Sequence, residues 1–218
     1  NFMIYWYNAY AVHHLYDHKQ DEILEILSEC EKAGNPDIVF EFCSTSKVSF
    51  AGGGIAGMAA SSANLDYIRE GMTVRTIGYD KVNQLRHVKY FKNIDGIRGH
   101  MKKHADIIRP KFEAVLQVLD REIGGLGIGE WNKPVGGYFI SFEAMEGCAK
   151  AIVAKCKEAG VVMTGAGATY PYGKDPKDSN IRIAPTFPTP EEMAEATDLF
   201  VLCVKLVSVN KLLEETVK

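Results

Sequence analysis

Several things are missing from this sequence, and each absence removes a class of function. No apolar run approaches the roughly 20 residues that a membrane-spanning helix needs, so no membrane role is expected. Basic residues are scattered, and 25 Lys and Arg against 28 Asp and Glu leave a net charge of -3. That balance offers no cationic surface to nucleic acid or anionic lipid. No C-x-x-C, no H-E-x-x-H, no internal repeat and no low-complexity stretch occurs. The five cysteines, Cys30, Cys43, Cys148, Cys156 and Cys203, are odd in number and widely spaced. They predict reduced thiols in a cytoplasmic protein rather than a disulfide framework. The start lacks a basic n-region, a signal cleavage site and an initiator Met, and it opens inside what reads as a strand. A fragment of a longer protein is therefore expected.

What is present is ordinary globular material. With 46% hydrophobic residues, 218 residues suffice for one large domain or two small ones. Residues 2–7 read as a short apolar strand. Ile23, Ile26, Leu27 and Cys30 recur at helical spacing and predict a helix over 21–33, stopped by Gly34 and Pro36. Residues 38–42 read as a strand buried on both faces, as in a parallel sheet, which makes a βαβ-like unit. A helix is expected over 66–72. A long helix from about 93 to 123 is interrupted by Pro110, which would bend it or begin its second part. After Gly125, residues 136–142 alternate like a strand, and 148–159 form an amphipathic helix ended by Gly160. Residues 181–184 read as a short strand. Thr189-Pro190-Glu191-Glu192 is a capping box with proline at the first helical position, opening a final helix. A soft boundary falls near residue 100.

Lys47 is the most informative candidate for chemistry. It follows an apolar strand directly, among Ser44, Thr45 and Ser46 and ahead of Gly52-Gly53-Gly54. Partial desolvation there would favour the neutral, nucleophilic amine, and the hydroxyls could donate to phosphate oxygens. From physics alone, an ordinary solvated loop lysine is the plainer reading. Three other signals compete. Gly52 to Gly57 matches G-x-G-x-x-G, but it does not follow a strand directly, so a tight loop is favoured over a dinucleotide site. His14 with His18, and His100 with His104, are spaced to share a helix face. Without further ligands they read as surface or loop histidines. Lys174, Asp175, Lys177 and Asp178 read as a solvated charged loop, and Tyr170 and Tyr172 as core aromatics.

Four segments in order bear a resemblance. Ser44-Thr45-Ser46-Lys47-Val48-Ser49-Phe50-Ala51-Gly52 resembles the Schiff-base segment of class I/II aminotransferases of fold type I, which use pyridoxal 5'-phosphate (PLP). Asn8-Ala9-Tyr10 resembles the end of their D-x-A-Y segment, residues 132–139 their P-x-G-G-x-F segment, and residues 180–184 the strand carrying their carboxylate-binding arginine. Residues 8–15 and 167–176 are similar to the aspartate aminotransferase-like, MocR-like subgroup.

The resemblance implies an α/β chain forming the C-terminal half of that fold. Residues 1–100 would complete the large PLP-binding domain and residues 101–218 would form the small C-terminal domain. It implies Lys47 as the Schiff-base lysine and catalytic proton carrier. Tyr10 would donate to the phenolic oxygen of PLP, Ser44 would bind its phosphate, and Ser46 would be a further cofactor contact. Arg182 would hold the substrate α-carboxylate. Two positions depart from the pattern. Tyr7 stands where the family has an aspartate against the ring nitrogen, and Ile55 stands where many members have a phosphate-binding arginine. The implied reaction moves an amino group from an amino acid, with aspartate expected, to a 2-oxo acid in a homodimer, without nucleic acid. An effector-sensing domain of a transcription regulator on the same fold, or an inert fragment, would be the alternatives.

Overall fold

The computed structural model describes residues 2–49 and 51–217. Asn1 and Phe50, the latter part of the lysine segment, lie outside the described residues. The chain divides into two compact units, Asn1–Lys103 and His104–Lys218.

The first unit contains β1 (Ile4–Asn8), α1 (Ile26–Lys32), β2 (Val39–Ser44), β3 (Ala56–Ala60), α2 (Ser62–Arg75), α3 (Lys81–Phe91) and the start of α4 (Ile94–Ile123). Its sheet has the order β1-β2-β3. β1 runs parallel to β2, from Ile4 opposite Val39 to Asn8 opposite Cys43. β3 runs antiparallel to β2, from Ala60 opposite Phe40 to Ala56 opposite Ser44. The sheet is therefore mixed, and β3 starts inside the Gly52–Gly57 stretch that reads as a tight loop. Its residues, Ala-Gly-Met-Ala-Ala, have little strand preference of their own. They become a strand because β2 has a second edge whose backbone groups need partners. Val39 and Phe40 are buried, but burial declines toward Ser44, so β2 is not enclosed along its whole length.

Helix α1 starts five residues later than its periodicity predicts. Ile23 and Leu24 are exposed, so no burial rewards an earlier start. The Glu25 carboxylate instead accepts the Ser28 N–H at 2.7 Å and caps the helix.

The second unit holds the remainder of α4, then β4 (Gly129–Trp131), β5 (Ile140–Ala144), α5 (Ala149–Glu158), β6 (Asn180–Ile183) and α6 (Pro190–Thr216). Its sheet is β4-β5-β6, antiparallel throughout. Helix α4 continues through Pro110. Beyond it Phe112, Val115, Leu119 and Ile123 recur at helical spacing and are wholly buried. The expected strand over 136–142 begins only at Ile140, because Gly137 adopts a left-handed φ of 82° that ends any extended run before it. Phe142 then stacks on Trp131 with centroids 6.1 Å apart and meets Phe200 edge-on at 5.1 Å. A Cβ at Gly129 would collide with the Phe142 ring, so glycine is required where β4 crosses it. The predicted capping box is present: Thr189 Oγ1 accepts from Glu192 N at 3.2 Å, and Glu192 Oε2 accepts from Thr189 N at 2.8 Å.

Among the described residues no helix is long and apolar enough to cross a membrane. All five cysteines are free thiols; only Cys43 is exposed. Burial and the neighbouring Cys203 push the Cys156 thiol up to about 12, and burial also raises Cys148. A thiol reagent at pH 8 should therefore modify Cys43 rapidly in the folded protein, and the other four only after denaturation. A second fast thiol in the folded state would contradict this burial pattern.

Candidate active site

The lysine segment leaves β2 at Ser44 and closes at once into a turn. Thr45 O accepts the N–H groups of Val48 at 2.9 Å and Ser49 at 2.8 Å. Val48 is buried against Phe91 and Met101, with Val12 and Ile97 alongside. Lys47, one residue earlier, is exposed. The desolvation expected for this lysine is thus not supplied by the surrounding residues of this unit. The apolar neighbour anchors the turn, and the lysine stands clear of the core.

A row of hydroxyls runs beside the turn. Tyr7 OH lies 3.0 Å from Ser44 Oγ, and Ser44 Oγ lies 2.7 Å from Ser46 Oγ. The parallel register, which sets Tyr7 opposite Phe42 and Asn8 opposite Cys43, brings β1 and β2 to end together and makes this row possible. The loop returning to β3 passes close by: a Cβ on Gly54 would sit 3.1 Å from Ser46 N. Thr45 N and Ile55 N tie the two stretches together, donating to Ile55 O and to Thr45 Oγ1, each at 2.9 Å.

Tyr10 reaches the turn through His13. The two rings meet edge-on with centroids 5.3 Å apart, and His13 Nε2 lies 3.0 Å from the Lys47 carbonyl. A carbonyl can only accept, so that nitrogen carries the hydrogen. His13 is buried, and burial lowers its pKa below the usual imidazole range. His100 Nε2 approaches the Val48 carbonyl at 2.8 Å. His100 is therefore no surface histidine, and no group of three or more metal-binding side chains exists among the described residues. The sequence reading missed His13 and His87. Both are buried polar residues, and for His87 the signal was available as Asn83, His87 and Phe91 at i, i+4 and i+8.

Arg182 lies in the second unit, on β6 opposite Ser141. Its guanidinium carbon stands 4.6 Å from the centroid of the Phe139 ring, a cation–π arrangement. Its Nε is buried without a hydrogen-bond partner, and among the described residues it makes no ion pair. It borders a cavity of about 220 Å³ with Met163, Ile183, Met193 and Phe200. A buried, unmatched donor on a cationic side chain is expensive unless an anion completes it.

In the loop before β6 Lys174 and Lys177 are exposed, as a solvated charge run predicts, but Asp175 departs from that expectation. Asp175 is buried, and its carboxylate accepts from the N–H groups of Lys177 at 2.9 Å, and of Ser179 and Asn180 at 2.8 Å each. The Asn180 hydrogen bond leads these contacts in pulling Asp175 below the usual carboxylate range. Asn180 in turn accepts from Thr169 at 2.6 Å and donates to Ser141 and Glu143. Gly167, with a φ of 80°, has no room for a Cβ, which would stand 2.6 Å from Gly173 O. Tyr172 is exposed rather than part of the core.

The first unit thus presents a lysine turn at the end of a central strand beside bonded hydroxyls. The second presents an arginine whose buried Nε has no hydrogen-bond partner among the described residues. The fold of the chain is that of aminotransferases. An aspartate transaminase structure from Corynebacterium glutamicum superposes with a TM-score of 0.92 at 41% identity, over 96% of this chain and 49% of that one. At 20% identity, the Thermus thermophilus α-aminoadipate aminotransferase, in complex with N-(5'-phosphopyridoxyl)-L-leucine, shares the fold with a TM-score of 0.74, over 94% of this chain and 50% of that one. The family model described as aspartate amino-transferase matches residues 1–216, and the chain belongs to that family. A curated Corynebacterium glutamicum aspartate aminotransferase is 41% identical over 208 residues, 95% of this chain and 48% of the relative. The chain spans about half the length of the curated relatives it matches.

Asp175 yields a test in acid. Its pKa is lower folded than unfolded, so its stabilisation is full above about pH 4, the unfolded value, and fades as pH falls through the folded value. Asp175→Asn should lower stability at pH 7 and flatten the loss of stability below about pH 4. Unchanged acid unfolding in the variant would show that the carboxylate does not anchor the loop.

Proposed function

We propose that this chain is the C-terminal half of a PLP-dependent aminotransferase that moves an amino group from aspartate to a 2-oxo acid. The observation that carries this reading is the Lys47 turn: an exposed lysine one residue from a buried anchor, next to the bonded hydroxyls of Tyr7, Ser44 and Ser46. Residues 1–100 would form part of the large cofactor domain and residues 101–218 the small domain.

The residues present fit the cofactor chemically. A lysine amine can bond an aldehyde, and hydroxyls can each donate to a phosphate oxygen. When bound, PLP supplies an aldehyde for condensation with an amine and a conjugated ring that accepts electron density from the substrate. Lys47 would hold it covalently, then take the proton from the substrate Cα and return it. Ser44 and Ser46 would donate to the phosphate, and Tyr10 to the ring hydroxyl. Tyr7 brings a phenol where the family has a carboxylate, and here that phenol is engaged by Ser44. The unmatched Arg182 donor supports its role in binding the α-carboxylate, for which the planar fork is suited.

Steady-state kinetics of the full-length protein over a panel of amino donors test this reading. Aspartate should give the highest kcat/KM with 2-oxoglutarate as acceptor. Arg182→Lys keeps the charge but loses the fork, and kcat/KM should fall by about 2–4 kcal/mol, roughly 30- to 900-fold. Lys47→Ala should lower kcat at least about 100-fold. An Arg182→Lys protein with parental kinetics would assign the carboxylate to another residue, and no turnover with any donor would overturn the reading.

A further inference from the structure

Helix α3 holds the Lys47 turn at three successive levels. Asn83 Nδ2 donates to the carbonyls of Gly53 at 2.9 Å and Gly54 at 3.2 Å. One helical turn on, His87 Nε2 stands 3.1 Å from Thr45 Oγ1 and 3.0 Å from Ser49 Oγ. One turn further, Phe91 packs against Val48.

The direction of the His87 bonds follows from valence. His87 Nδ1 faces the Asn83 carbonyl at 2.9 Å and must carry the hydrogen. In the neutral ring Nε2 is then an acceptor. The Ser49 hydroxyl has three acceptors in reach: Thr45 O at 3.1 Å, Thr45 Oγ1 at 3.3 Å and Nε2 at 3.0 Å. Thr45 O is already taken by the N–H groups of Val48 and Ser49, and Thr45 Oγ1 accepts from Ile55 N. The Thr45 hydroxyl has Ile55 O at 3.4 Å as its other acceptor, and the single lone pair of Nε2 is shared between these two hydroxyls. They belong to Thr45 and Ser49, each two residues from Lys47. His13 and His100 act differently, because they donate to the carbonyls of Lys47 and Val48. His87 is buried, so water cannot replace it cheaply.

We propose that His87 is a positioning residue for Lys47: by accepting from the hydroxyls that flank the lysine, it fixes the turn and so the orientation of the amine. This inference rests on the reading of Lys47 as the cofactor lysine. A buried histidine that served only stability would lower the unfolding free energy and leave the turn's local opening, and the chemistry of the bound cofactor, as they were.

The experiment compares His87→Phe, which keeps a ring without an acceptor, with His87→Gln, whose amide oxygen can accept. Ser49→Ala removes the bond from its other side and serves if His87→Phe fails to fold. Three readouts are taken on the whole enzyme: hydrogen exchange at the Val48 and Ser49 amides without cofactor, the pH midpoint of the bound cofactor's visible absorption, and kcat against KM for the amino donor. In His87→Phe and Ser49→Ala the two amides should exchange about ten-fold faster, as expected for one lost hydrogen bond. The absorption midpoint should move, and kcat should fall about ten-fold with KM within about two-fold. His87→Gln should stay within about two-fold of the parent in each. Parental exchange and midpoint in His87→Phe, or equal damage from Gln and Phe, would overturn the inference. A parent protein showing no lysine-bound cofactor absorption would overturn the Lys47 reading, and this inference with it, whatever the exchange rates.

Discussion

Strand β2 is hydrogen-bonded on both edges, and that constraint organises the first unit. Its parallel partner β1 ends level with it and delivers Tyr7 to Ser44. Its antiparallel partner β3 forces the chain to turn back within the eleven residues between Ser44 and Ala56, through glycines that let the return loop pass close to Ser46. The lysine turn is what remains between two fixed ends. Buried or partly buried imidazoles from three separate segments meet its carbonyls and hydroxyls, while Val48 plugs the core beneath. The exposed lysine is therefore carried on a turn that is bonded from several sides.

The second unit solves a different problem. Its sheet is small, and its core is made by α4, α6 and the Phe142 ring between Trp131 and Phe200. Strand β6 must deliver Arg182 from a loop with little regular structure. Asp175 supplies the order by gathering the backbone donors around it, and Asn180 links the strand's first residue to Thr169, Ser141 and Glu143. Arg182 itself sets its guanidinium over the Phe139 ring, with Nε buried and without a partner among the described residues.

What could be read from the sequence was whatever local chemistry decides alone. Gly34, Gly160 and the Thr189 capping box marked their helix ends correctly, because each depends on a few adjacent residues. The long helix expected from about 93 to 123 is α4, and it continues through Pro110. Tertiary demands hid the rest. β3 is a strand by virtue of β2's open edge, not its own alanines. Helix α3 turns polar residues, Asn83 and His87, toward the interior, which defeats a reading based on apolar spacing. Asp175 looked like surface charge because its partners are backbone N–H groups that a sequence does not display. Lys47 and Arg182 stand out only through a resemblance; composition alone leaves both as ordinary basic residues.

The central claim is that the Lys47 amine is the group that bonds the cofactor. Incubating the full-length protein with PLP, reducing it with borohydride and mapping the peptides tests this directly. The pyridoxyl label should sit on the peptide containing Lys47, in near-stoichiometric amount, and vanish in Lys47→Arg while PLP still binds. Label on a different lysine, or none after reduction of a protein that demonstrably binds PLP, would contradict the account.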